Sequence, residues 1–263
     1  MRVKDKVVVI TGSGGGIGEG IAHRMAQEGA KVVVSDVRAD AGEAVAKAIA
    51  AQGGTASFCA ANVTVDADMA ALVAHAQQTH GRLDVMVNNA GWTHVNQPAI
   101  ETTEEDFDKV YAINVKSIFL STKHAVPVFR KQGGGCFINI ASTAGVRPRP
   151  GLTWYNGSKG AVIIVSKSLA AELGADNIRV NCVNPVMNPY TGLGTAFAGG
   201  ELTPERLDKF RSTIPLGRQL RENTCTQSRM KRTHMAIKNT YRAAYTTHAI
   251  ADIASNYSGK RPG

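Results

Sequence analysis

Lys6-Val7-Val8-Val9-Ile10 runs without a break into Thr11-Gly12-Ser13-Gly14-Gly15-Gly16-Ile17-Gly18, and the glycines open a helical pattern with Ile21, Ala22, Met25 and Ala26 on one side. No other stretch limits the fold so tightly. A continuous β-branched run lacks the alternation of a strand with one wet face, so it reads as a parallel strand buried on both faces. Such a strand needs helices packed against each side, which commits the chain to an α/β architecture.

The same stretch suggests a ligand. Glycines let the backbone turn tightly and come close to a pyrophosphate, whose charge is met by the N–H groups and dipole at the helix start. Gly29-Ala30 then stops the helix, and Lys31-Val32-Val33-Val34-Ser35 forms a second strand that ends at Asp36. That spacing from the glycines is close to the distance at which a carboxylate accepts hydrogen bonds from an adenosine ribose. A helix N-cap or loop acid is the plainer account of Asp36, and the strand–loop–helix context weighs against it.

The alternation continues along the chain. Ala41 to Ala51 reads as a helix, Ala56 to Val63 as a strand, Asp66 to Gly81 as a helix and Leu83 to Val87 as a strand ending in Asn88-Asn89-Ala90-Gly91. Glu104 to Phe129 reads as one long helix carrying Asn114, followed by a strand from Cys136 to Ile140 that runs into Ser142. A helix from about Tyr155 to Leu173 and a strand from Ile178 to Val183 complete the pattern. Strands alternating with helices of this length predict a doubly wound parallel sheet in a single domain, with the site outside the carboxyl ends of the strands. Asp36, Asn89 and Ser142 all fall at such ends.

Tyr155 and Lys159 are spaced to share one face of their helix. A free tyrosine titrates near pH 10 and is a poor base at neutrality, but a neighbouring cation favours the phenolate. Lys159 is therefore expected to lower the Tyr155 pKa, letting the phenol exchange a proton with an oxygen that Ser142 also hydrogen-bonds. Alone, the spacing fits a surface i,i+4 pair, with Ser142 a loop hydroxyl, better than it fits chemistry; the glycine loop at the other end of the chain reverses that balance.

Charge and cysteine usage narrow the partners. The net charge is +9, which raises the question of nucleic acid or an anionic membrane. Residues 1–217 hold 21 Lys and Arg against 19 Asp and Glu, whereas residues 218–263 hold 9 against 2, so the basic character belongs to a tail. Cys59, Cys136, Cys182 and Cys225 are scattered without C-x-x-C pairs or metal spacing and read as reduced thiols, with no metal site. The only apolar run before the glycines is short, so neither signal peptide nor membrane span is expected and the protein is placed in the cytoplasm.

With these residues assembled, the chain resembles the short-chain dehydrogenase/reductase family over roughly residues 5 to 218. The resemblance rests on several motifs in order: Thr11-Gly12-x-x-x-Gly16-x-Gly18, Asn88-Asn89-Ala90-Gly91, and Asn114, Ser142, Tyr155 and Lys159 where the family has its catalytic four. It implies a Rossmann fold over residues 1–218 and NAD as cofactor. Gly12, Ser13, Gly16, Ile17, Gly18, Asp36, Asn62, Val63, Asn89, Ala90, Gly91, Tyr155, Lys159, Pro185, Val186 and Thr191 would bind that cofactor. Asn62 stands where the family usually has an Asp at the adenine, and Pro185-Val186 replaces the usual Pro-Gly. Tyr155 would be the acid/base, Ser142 would orient the substrate oxygen, Lys159 would lower the tyrosine pKa and bind the nicotinamide ribose, and Asn114 would hold a water of the proton relay. The reaction implied is hydride transfer between NAD(H) and a secondary alcohol or ketone, such as a 3-oxoacyl thioester, a sugar or polyol, or another small alcohol. Trp92, His94, Thr143, Trp154 and the loop after Pro185 flank these residues and are expected to line the substrate pocket, although packing is an equally good account of them. Further copies of the chain are the expected partners, as a dimer or tetramer, and neither membrane nor nucleic acid is. The alternative is an idle dinucleotide-binding protein whose basic tail contacts a partner or nucleic acid.

After Thr213-Ile214-Pro215-Leu216-Gly217-Arg218 the composition changes abruptly, and no apolar strand follows. In the resembling family a further strand is expected here, and its loss would expose a sheet edge and weaken assembly. Residues 219–263 are expected to be a shifted reading frame or replaced terminus; the alternative is a divergent tail, with a helix over Ala236 to Ile253, packed on the same edge. Resequencing the DNA and weighing the intact protein test the frame, and a stable tetramer in light scattering with an ordered seventh strand from the tail contradicts the structural expectation.

Overall fold

The computed structural model describes residues 1–186 and 191–212. Six parallel strands form one sheet in the order β3-β2-β1-β4-β5-β6, the arrangement of the two-halved dinucleotide-binding fold, in which the order reverses between β1 and β4. The strands are β1 (Val7–Thr11), β2 (Lys31–Ser35), β3 (Thr55–Phe58), β4 (Val85–Asn88), β5 (Gly135–Ile140) and β6 (Ile178–Val183). Between and after them lie α1 (Gly16–Gln27), α2 (Ala39–Ala51), α3 (Asp66–His80), α4 (Glu104–Tyr111), α5 (Ser117–Gln132), α6 (Thr153–Leu173), α7 (Gly194–Ala198) and α8 (Pro204–Ser212).

The opening strand behaves as its composition demands. Val8 and Ile10 of β1 pack into one core layer with Ile21, Met25, Val45 and Ile49 of α1 and α2. Val7 and Val9 point the other way, into a layer with Met69 and Leu72 of α3 and Phe129 of α5. Both faces are dry, so a run of valines serves where alternation would bury polar side chains.

Three expected boundaries shift, each for a visible reason. The third strand ends at Phe58, short of Val63, because Asn62 accepts from the Thr64 N–H (3.0 Å) and hydroxyl (2.8 Å) and so turns the chain out of the sheet. The fourth begins at Val85: Leu83 is bound at its N–H (3.0 Å) and carbonyl (2.6 Å) by the Gln132 side chain instead of a strand. The long helix from Glu104 is broken at Ala112–Lys116 by a wide π-type turn, which redirects the backbone at Asn114. The segment 219–263, on which the expected loss of a seventh strand and the alternative helix over Ala236 to Ile253 both fall, lies outside the described residues. No described helix is long and apolar enough to cross a membrane.

A buried polar chain fixes the strands that end at the site. Asn88 Nδ2 donates to Asn139 Oδ1 (2.8 Å), and Asn139 Nδ2 donates to Ser166 Oγ (2.9 Å), joining β4, β5 and α6. Asn139→Ala leaves a donor on Asn88 buried without its acceptor and is expected to destabilise the protein by about 1–3 kcal/mol. Urea unfolding monitored by circular dichroism reads this directly; an unchanged midpoint would contradict it.

Candidate active site

The loops after β1, β2, β4, β5 and β6 converge on one cleft of about 690 Å³, inside the range of small-molecule sites. Its floor is backbone. A Cβ on Gly18 would lie 2.3 Å from the Gly12 carbonyl oxygen and 2.5 Å from Asn89 Nδ2, and one on Gly12 would lie 2.8 Å from Ala90 Cα. The loop is tied down by Asn89, whose Nδ2 donates to the carbonyls of Thr11 and Gly12, both at 2.9 Å. Thr11 Oγ1 in turn accepts from the N–H groups of Asn89 and Ala90, both at 3.1 Å. α1 starts at Gly16 with no side-chain cap, so its first N–H groups remain for an anion.

Asp36 closes the other end of this floor and is nearly buried. Its Oδ2 accepts from the Gly14 N–H (2.9 Å) and its Oδ1 from the Arg38 N–H (3.0 Å) and Nε (3.2 Å). Burial opposes its charge, but the hydrogen bonds from Arg38 and Gly14 outweigh burial and hold the carboxyl below its ordinary value. A side-chain-free cradle at a helix start, with an ionised carboxylate at the end of the next strand, fits a dinucleotide such as NAD.

Gly12, Gly16, Ile17, Gly18, Asp36, Asn62, Val63, Asn89, Ala90, Gly91, Pro185, Val186 and Thr191 all line the cleft. Ser13 does not. It is fully buried, its Oγ donating to the Ile10 carbonyl (2.7 Å) and accepting from the Ser35 N–H (3.0 Å), so it welds β1 to β2 behind the cleft. Two expected pocket residues are also elsewhere. His94 is 1% exposed with Nδ1 on the Val95 carbonyl (2.7 Å). Trp154 donates from Nε1 to the Ala99 carbonyl (3.1 Å) and packs edge-on against Phe107. Trp92 and Thr143 do line the cleft.

Ser142, Tyr155 and Lys159 meet where the loop after β5 faces the start of α6. Ser142 Oγ accepts from the Ala144 N–H (3.1 Å) at the head of a short 3₁₀ turn, Thr143–Gly145, and hydrogen-bonds the Tyr155 hydroxyl. Lys159 Nζ donates to the Ile140 carbonyl (2.9 Å) and stands 5.8 Å from the Tyr155 ring centre. Asn114 is buried beside them, with its amide already engaged: Oδ1 accepts from the Trp92 N–H (2.9 Å), and Nδ2 donates to the Trp92 carbonyl (2.9 Å) and Ser158 Oγ (2.9 Å). Its side chain pins the loop after β4 to α6.

The electrostatics reverse a sequence expectation. Burial pushes the Tyr155 phenol up to about 12, against the Ser142 hydrogen bond and the Arg149 charge, which both favour phenolate. Burial also brings the Lys159 ammonium down to about 8, with the Cys182 thiol opposing. Lys159 therefore does not lower the Tyr155 pKa below that of a free phenol here, because the desolvation of the phenol is the larger effect. Sequence reading also passed over Arg149, Leu152 and Phe197, which line the cleft. Arg149 was visible as a charge close to the tyrosine, whereas Phe197, edge-on to the Tyr155 ring at 5.1 Å, carried no local signal. The Lys159 shift has a stability consequence. Above pH 8 the folded protein gives up this proton while the unfolded chain keeps it to about 10.5, so stability rises across that window. Wild type minus Lys159→Met should show a difference in unfolding free energy that climbs from pH 8 to 10.5, and a flat difference would contradict the burial of the charge.

The family model for short chain dehydrogenases matches residues 6–197. The chain is 44% identical over 218 residues to 4-formylbenzenesulfonate dehydrogenase TsaC1/TsaC2 of Comamonas testosteroni, covering 83% of this chain and 86% of that one. It is 37% identical over 221 residues to the 3-oxoacyl-[acyl-carrier-protein] reductase FabG of Thermotoga maritima, with 83% and 86% covered. The crystal structure of 3-ketoacyl-(acyl-carrier-protein) reductase from Brucella melitensis complexed with NADH superposes with a TM-score of 0.77 at 40% identity, covering 84% of this chain and 87% of that one. The chain therefore belongs to the short-chain dehydrogenase/reductase family of oxidoreductases.

Proposed function

We propose that this protein interconverts a secondary alcohol and a ketone with NAD(H), using Tyr155 as the group that exchanges a proton with the substrate oxygen. The observation that carries the proposal is the junction of two features in one cleft: a bare-backbone cradle ending at Asp36, and Ser142, Tyr155 and Lys159 at the other side. A bound nicotinamide supplies or accepts the hydride. The N–H groups of Gly16, Ile17 and Gly18 hold the pyrophosphate, and Asp36 takes the ribose hydroxyls. Asn62 and Val63 would serve the adenine, and Pro185, Val186 and Thr191, which line the same cleft, the carboxamide.

Ser142 and Tyr155 hold the substrate oxygen between two hydroxyls. In reduction, Tyr155 gives its proton to the oxygen as the carbonyl carbon is reduced; a buried, neutral phenol is the form ready for this. In oxidation it must take the proton, and the Ser142 hydrogen bond and the Arg149 charge favour the phenolate this requires. Asn114, with its amide committed to Trp92 and Ser158, serves a proton relay through its main chain in the wide turn. The relatives named a 4-formylbenzenesulfonate dehydrogenase and a 3-oxoacyl-[acyl-carrier-protein] reductase differ in the carbonyl compound their names give, so the substrate is left at the class of alcohol and ketone.

Tyr155→Phe removes the proton donor and little binding surface, so turnover should fall by ~10²–10⁴ with NADH affinity held within a few-fold. Appreciable NADH consumption by a well-folded Tyr155→Phe protein would refute the role. NAD should be preferred to NADP, because a 2′-phosphate would meet the Asp36 carboxylate. Asp36→Ala also releases Arg38 to meet that phosphate and should narrow the ratio of kcat/KM for the two cofactors; an unchanged ratio would contradict the assignment.

A further inference from the structure

Three loops that wall the cleft on its Tyr155 side meet at one residue. Asn96 lies half-buried in the loop after β4. Its Nδ2 donates to the Pro150 carbonyl (3.1 Å) in the loop after β5, and its main-chain N–H donates to the Ala196 carbonyl (2.9 Å) of α7, which follows β6. The next residue repeats the first tie, the Gln97 N–H donating to the Gly151 carbonyl (3.0 Å). Both neighbours press closely on Asn96. Gly151 has φ +78°, and a Cβ there would lie 2.1 Å from Asn96 Oδ1; a Cβ on Gly199, just past α7, would lie 3.1 Å from the Asn96 carbonyl oxygen.

What these ties hold in place is apolar. Pro150 and Gly151 lead directly into Leu152, and Ala196 into Phe197. Leu152 is buried with Ala144 and Tyr155, and Phe197 packs on that group, edge-on to the Tyr155 ring with the centres 5.1 Å apart. Both side chains line the cleft beside Ser142 and Tyr155, so the surface next to the reacting oxygen is hydrocarbon. Leu152 and Phe197 come from different segments, and Asn96 joins both segments from a third. Asn96 itself does not line the cleft; any effect it has on a bound molecule passes through the wall.

We infer that Asn96 is a positioning residue for substrate specificity, holding Leu152 and Phe197 against Tyr155 so that the cleft selects a carbonyl or alcohol compound with an apolar body beside the reacting carbon. The inference rests on the reading of Tyr155 as the partner of the substrate oxygen. The glycine loop is tied separately, by Asn89, so the Asn96 side chain can be removed without disturbing the cofactor cradle. Hydrocarbon that leaves water for this wall contributes binding in proportion to its area, and only while the wall keeps its place.

The test uses the full chain with NADH and two methyl ketones, acetophenone, which carries an apolar ring, and acetone, which does not. Wild type should favour acetophenone in kcat/KM by about ten-fold or more. Asn96→Ala should raise the acetophenone KM by about two- to ten-fold, the worth of one hydrogen bond, with kcat and the KM for NADH held within about two-fold. The acetone values should hardly move, so the ratio falls. Asn96→Asp keeps the shape but sets an oxygen against the Pro150 carbonyl and should lose at least as much; an Asp variant that behaves as wild type would show the hydrogen bond to be idle and overturn the inference. A ratio near one in wild type, or the same ratio in wild type and Asn96→Ala, would also overturn it, and equal loss with both ketones, as from damage to Tyr155 or to folding, leaves the ratio unchanged and counts against it. Binding of acetophenone to the protein loaded with oxidised NAD, which cannot reduce it, gives the same comparison without turnover. Reduction of both ketones without preference would preserve the proposed reaction and sink the role of Asn96, whereas weaker acetophenone binding by Asn96→Ala with reduction of neither ketone would do the reverse.

Discussion

The cleft depends on backbone touching backbone. The turn after β1 passes so close to the loop after β4 that neither Gly12 nor Gly18 has room for a side chain, and the Asn89 amide draws the two loops together. Everything downstream uses that contact. It leaves the start of α1 open to an anion, and it fixes Ala90 and Gly91 as the wall that leads to Asn114 and α6. A bulkier residue at Gly18 would push the loops apart and lose both the cradle and its register with the tyrosine. A parallel sheet makes such an approach possible because it delivers all its carboxyl ends to one side.

Burial governs Tyr155 and Lys159 more than their mutual charge does. Tyr155 and Lys159 are both nearly inaccessible, and each is driven toward its neutral form, the phenol up to about 12 and the ammonium down to about 8. The Ser142 hydrogen bond and the Arg149 charge lean the other way, and any positive charge entering the cleft would favour phenolate further.

The sheet was legible in the sequence because it is made of patterns that physical constraint forces. Valine runs buried on both faces, a glycine loop where backbones meet, and an acid at the end of the next strand all act locally. What was hidden depends on distant contacts. The break at Ala112–Lys116 follows from Asn114 reaching back to Trp92 and across to Ser158, and nothing nearby announces it. Ser13 and Trp154 sit next to functional residues in sequence but turn away from the cleft, one to weld two strands and the other to pack on Phe107. Proximity in sequence located the glycine floor of the cleft better than its wall beside Tyr155, where Phe197 arrives from a remote segment.

The proposed reaction passes a hydride between a nicotinamide at the glycine cradle and a carbonyl carbon at Ser142 and Tyr155. The most direct measurement is isotope transfer: the protein, NADH deuterated at the reactive carbon of the nicotinamide, and a panel of ketones, with products read by mass spectrometry. Deuterium on the carbinol carbon of at least one product is the expected result. Tight NADH binding with no deuterium in any product would contradict the account and mark the cleft as a site that binds a dinucleotide without using it.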